Sequence, residues 1–70
     1  MKTFTAVLYR EDDMYIAECP EVGTVSQGES VEKAVANLQE ATELYLAEFP
    51  LEGGRRPIIT TFEVAGSVKV

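Results

Sequence analysis

Between Ser30 and Pro50, Val31, Ala34, Val35, Leu38, Ala41, Thr42, Tyr45, Leu46 and Phe49 recur at steps of three and four residues. That spacing lines them along one face of an α-helix. Ser30 stands where an N-cap hydroxyl accepts a bond from a free backbone N–H, Glu32 favours the positive end of the helix dipole, and Pro50 closes the far end. A helix with one apolar stripe has to lay that stripe on something. In a chain of 70 residues the only candidate is a sheet built from the rest.

The flanking segments supply the strands. Lys2 to Arg10 is rich in Thr, Phe, Val, Leu and Tyr, the Glu11-Asp12-Asp13 stretch makes a polar turn, and Met14 to Cys19 returns as the second arm of a hairpin. Pro20 ends that arm, since proline cannot donate to a ladder, and Thr24 to Gln27 forms a short third strand after Gly23. Beyond a loop containing Gly53, Gly54, Arg55 and Arg56, Ile58 to Val64 has the composition of a fourth strand. A helix between two strands of one sheet makes a right-handed crossover, so the fourth strand is expected parallel to the first. The expected fold is α+β, in the order β-β-β-α-β, with one helix on one face of a mixed four-stranded sheet.

Alternation along the first strand puts Phe4, Ala6 and Leu8 on one face and Val7 and Tyr9 on the other. Both faces are partly apolar, and one helix covers only one of them. Val7 and Tyr9 are therefore either a tolerated apolar surface or the seat of a second chain. On the helix, Leu44 falls outside the apolar stripe, among Lys33, Asn37, Glu40 and Glu48. Val7, Tyr9, Leu44, Glu48, Phe62 and Val68 are the candidate self-association or partner-binding residues. Val68 belongs to a tail that either frays or pairs with another protomer.

Several kinds of chemistry are excluded. With no histidine, Ser-His and Cys-His catalytic pairs and the commonest transition-metal ligand are missing. Cys19, the single cysteine, has Glu18 and Glu21 beside it and no cation to lower its thiol pKa, so it reads as packing. Glu11, Asp12 and Asp13 lack the ligand alternation of a calcium loop, and Gly53-Gly54-Arg55-Arg56 lacks the residues of a phosphate loop. No catalytic, metal or cofactor site is expected. The net charge of -6, with six Lys and Arg scattered along the chain, disfavours nucleic acid as a direct ligand; it either fits a basic protein partner or simply keeps a small protein in solution. No stretch has the roughly 20 apolar residues of a membrane span, and no export signal opens the chain, so a cytoplasmic location is expected.

Three stretches carry a family likeness. They are Ile16-Ala17-Glu18-Cys19-Pro20-Glu21-Val22-Gly23; Val25-Ser26-Gln27-Gly28-Glu29-Ser30; and the helix through Glu32-Lys33-Ala34, Asn37, Glu40-Ala41 and Leu44-Tyr45-Leu46. Together they resemble the HicB antitoxin family over about residues 3 to 47. The resemblance implies a partial RNase H-like fold with sheet order 3-2-1-4 and assembly into dimers or tetramers. It also implies a partner toxin of the HicA type, a small basic RNase that such antitoxins neutralise by contact. The alternative is an orphan HicB-like oligomeric adaptor without a toxin. Many members continue into a DNA-binding domain, whereas six residues follow Val64 here, so independent operator binding is not expected. The first strand offers no carboxylate where metal-dependent nucleases of the larger fold class need one, so no enzyme activity is expected.

Overall fold

The first hairpin forms where two runs of strand-formers meet across Asp12 and Asp13. In a computed structural model describing residues 2–50 and 57–66, β1 (Val7–Glu11) pairs antiparallel with β2 (Met14–Cys19), Glu11 facing Met14 across the turn. Asp12 takes φ 55°, a left-handed conformation that aspartate tolerates better than most residues. β2 then pairs antiparallel with β3 (Thr24–Gly28), Cys19 facing Thr24. The return is made by Val22 and Gly23 donating to the Cys19 carbonyl, with Gly23 at φ 94°.

β1 begins later than composition implies. Register would place Thr5 opposite Pro20, where β2 has ended, and a side chain replaces the missing backbone partner. The Glu21 carboxylate accepts from Thr5 N at 3.0 and 3.1 Å and from Thr5 Oγ1 at 2.7 Å. Burial pushes the Glu21 carboxyl pKa up, but these bonds, with help from its own backbone and the Cys19 thiol, outweigh that and hold it below the usual value.

α1 (Val31–Glu48) starts at Ser30, whose Oγ accepts from Lys33 N at 3.1 Å. It lies over β3 and, less extensively, β2. Gly28 permits that approach, since a Cβ there would stand 2.5 Å from Ala34 N and 2.8 Å from Lys33 Cβ. Two polar links fix the helix to β3: Asn37 Nδ2 donates to the Gln27 carbonyl at 2.8 Å, and the Thr24 and Thr42 hydroxyls lie 2.7 Å apart. The core is Ala17, Cys19, Ala34 and Leu38, with Phe4, Ala6, Leu8, Tyr15 and Val22 packed around it. Of the expected helical stripe, Val31, Val35, Tyr45 and Phe49 remain exposed, because α1 sits towards β3 and leaves β1 unroofed.

One expectation is overturned. The sheet has three antiparallel strands in the order β1-β2-β3, not four mixed strands in the order 3-2-1-4, and the elements run β-β-β-α. The α+β class stands. Residues 57–66 form no ladder and are exposed throughout. Their strand propensity is a fit to a pleated, half-buried surface, and this chain's own body does not hold them against one. The Gly53 to Arg56 connection and the candidate tail residue Val68 lie outside the described residues.

Candidate protein-binding surface

Register sorts the strand residues onto two faces. Leu8, Ala17 and Ser26 share the helix side, while Val7, Glu18 and Val25 form one row across the open face and Tyr9, Ile16 and Gln27 the next. Glu11 and Met14 complete it. Tyr9 and Val25 are 54% and 55% exposed, and no element among the described residues covers this side.

The lower part of the face is concave. Val7, Tyr9, Glu18, Pro20, Thr24 and Val25 line a shallow depression of ≈ 250 Å³. Glu18 stands among its apolar side chains, between Val7 and Val25, and Glu11 follows at the hairpin end of the same face, with Asp12 and Asp13 at the tip. Arg10, the basic residue of the three strands, belongs to the opposite face, its guanidinium 6.0 Å from the Tyr15 ring centre. The open face thus combines bare apolar area with charge of a single sign. Such a surface favours a partner that brings apolar side chains and basic groups together.

The expected contact residues fall in three places. Val7 and Tyr9 lie together on the open face, as strand alternation requires. Leu44, 66% exposed, and Glu48 are on the outward side of α1, away from that face. Phe62 is in the exposed segment 57–66. Ile16 and Val25 are additional members of the surface. Their signal in the sequence is alternation out of phase with Ala17 and Cys19, which face the helix.

Cys19 contributes no chemistry. Its buried Sγ donates to Glu21 Oε1 at 3.4 Å; burial above all pushes the thiol pKa up, and the neighbouring Glu21 carboxylate adds to that, so the thiol stays protonated and inert. Among the described residues no group of three or more His, Cys, Asp or Glu is placed to hold a metal ion. No helix among them is long and apolar enough to cross a membrane.

Comparison with known proteins yields one informative relative. A protein of Helicobacter pylori strain J99 described as a UPF0150 protein is 35% identical over 66 residues, covering 86% of this chain and 92% of the relative. No family model matches the chain, and no solved structure does.

Proposed function

The chain belongs to the UPF0150 family, and on that footing we propose that it is a HicB-like antitoxin without enzymatic activity, which binds and neutralises a small basic RNase toxin of the HicA type. The observation that carries this reading is the open sheet face. There Val7, Tyr9, Ile16 and Val25 lie exposed or half-buried on one face with Glu11 and Glu18, with no basic side chain among them.

A basic nuclease must present cations wherever it grips RNA. An acidic, apolar surface competes for those cations and covers the groups around them. Long-range attraction from the chain's net charge of -6 speeds the encounter, and burial of the apolar rows then slows release. Neutralisation by contact asks nothing of the antitoxin beyond that surface, in keeping with the lack of histidine.

The test is direct. The purified chain is mixed with the small basic protein encoded beside its gene, and binding and RNA cleavage are both followed. A stable complex that silences cleavage is expected. Val25→Asp, which puts a second carboxylate beside Glu18 in place of an exposed apolar side chain, should weaken binding at least tenfold while leaving the helical circular-dichroism signal intact. The proposal fails if no such neighbour exists, if its product does not bind, or if Val25→Asp binds as tightly as the parent.

A further inference from the structure

Glu11 and Glu18 share the open face but not their surroundings. Glu18 is half-buried on the middle strand, with Val7 opposite it on β1 and Val25 opposite it on β3, and it lines the ≈ 250 Å³ depression together with Tyr9, Pro20 and Thr24. Tyr9 stands diagonally across the ladder from Glu18, two residues beyond Val7, a separation of roughly 7–8 Å that aromatic and long side chains bridge. Glu11 is exposed beside the hairpin turn, opposite Met14. Among the strand residues no basic side chain lies on this face, since Arg10 belongs to the other.

We infer that the depression seats a single arginine side chain of the partner, and that Glu18 is the residue that selects it, its carboxylate pairing with a guanidinium that lies against the Tyr9 ring. The inference rests on the partner reading above and narrows it from a basic protein to the chemistry of one contact. The depression is smaller than the roughly 300 Å³ at which small-molecule pockets begin, and suits one long side chain.

The choice of arginine follows from what closure of the face does to Glu18. A partner lying on the two apolar rows takes water from the carboxylate, and a carboxylate that loses water has to be paired and hydrogen-bonded. An apolar side chain seated there leaves the charge unmet. Lysine meets it as a compact, strongly hydrated point charge. Arginine is more weakly hydrated, and its planar fork both matches the two carboxylate oxygens and stacks on an aromatic ring within about 6 Å. Val7 and Val25 flank the methylene stem and keep water from the pair, which strengthens it. A second carboxylate in place of Val25 adds charge but gives up that wall.

Hexa-arginine and hexa-lysine carry equal charge, so the difference between them reads the seat and not the net charge of -6. Each is titrated into the full chain at about 0.15 M salt, with the Tyr9 ring and Val25 methyl resonances followed by NMR. Hexa-arginine should bind at least about fivefold tighter and shift both residues. Glu18→Gln should abolish that preference, whereas Glu11→Gln should weaken both peptides by the same factor; neither should alter the helical circular-dichroism signal. With the basic protein encoded beside the gene, Glu18→Gln should weaken the complex on the order of tenfold or more, mainly through faster dissociation, and Glu11→Gln should mainly slow association. Equal binding of the two peptides, a preference that survives Glu18→Gln, shifts that avoid Tyr9 and Val25, or a Glu18→Gln complex as long-lived as the parent's overturns the seat and leaves the toxin reading standing. A neighbouring protein that does not bind, while hexa-arginine still selects Glu18, sinks the toxin reading and keeps the seat.

Discussion

The part of the sheet in closest contact with the helix and the open face are built from side chains of different size. Directly under the helix lie Ala17, Cys19 and Gly28, met by Ala34 and Leu38 from above, with Phe4, Leu8 and Tyr15 packed around them; on the open side stand Val7, Tyr9, Ile16 and Val25. Small residues bring α1 close enough for Asn37 and Thr42 to bond to β3, so the covered face gains cohesion from proximity more than from apolar bulk. The open face has bulky side chains too, and nothing among the described residues covers them. Apolar area here is divided between holding the fold and holding a partner, and hydrophobicity alone does not say which residue does which.

Truncation separates the two roles most sharply. Leu38 is the one large aliphatic side chain in the buried cluster. Leu38→Ala should destabilise by about 3 kcal/mol, a large part of what a small domain has to spare, and lower the urea midpoint accordingly. Val25→Ala, on the open face, should stay within about 0.5 kcal/mol of the parent. Equal losses at both sites would erase the distinction between the faces.

Close approach is the next point at which the comparison can break. At Gly28 even one methyl meets helix backbone, so Gly28→Ala should cost about 2 kcal/mol in denaturant unfolding and push α1 away from β3. A neutral outcome would mean that the helix is not held against β3 at this point.

These contrasts bear on what was legible in the sequence. The helix and the hairpin were readable because each is announced locally: a period of three to four residues after Ser30, and strand-formers either side of Asp12 and Asp13. Val7 and Tyr9 were readable as a pair because alternation is also local. The fourth strand was not, since Ile58 to Val64 states a preference for a half-buried pleated surface and says nothing about whether its own chain provides one. Nor was the position of the helix readable. The contact at Gly28 sets α1 over β3 and leaves Val35, Tyr45 and Phe49 exposed, and periodicity reports a stripe without reporting where it will land.

The segment leading into β1, tied down at Thr5, lies outside the ladder, and acid should loosen it. The Glu21 carboxyl has a folded pKa below its ordinary value of 4.5, so the native state takes up its proton less readily than the unfolded chain does. Its contribution is fully present above about pH 4.5 and is lost as pH falls through the lower, folded value. The thermal midpoint should therefore drop between pH 5 and pH 3 by more in the parent than in Glu21→Gln, whose side chain does not titrate. Because the group is largely open to solvent, the difference should be modest. Parallel acid limbs would show that the bonds to Thr5 do not distinguish the charged carboxylate from a neutral acceptor.

The smallest effect is expected at the hairpin tip, far from the helix. Asp12 holds φ 55° without glycine's freedom from a Cβ clash, and its carboxylate lies between those of Glu11 and Asp13 in sequence. Asp12→Gly removes the backbone strain and one of three neighbouring negative charges, but gives the unfolded chain more conformations to occupy. The first two gains should slightly exceed the last, for a net stabilisation of about 0.5 kcal/mol in denaturant unfolding. The same substitution takes an acidic group from beside the open face. If that face meets a basic partner, association should slow modestly, and more at low salt than at high, while dissociation stays nearly unchanged. A gain in stability with no change in association would confine the partner to the apolar rows and leave the hairpin tip outside its footprint.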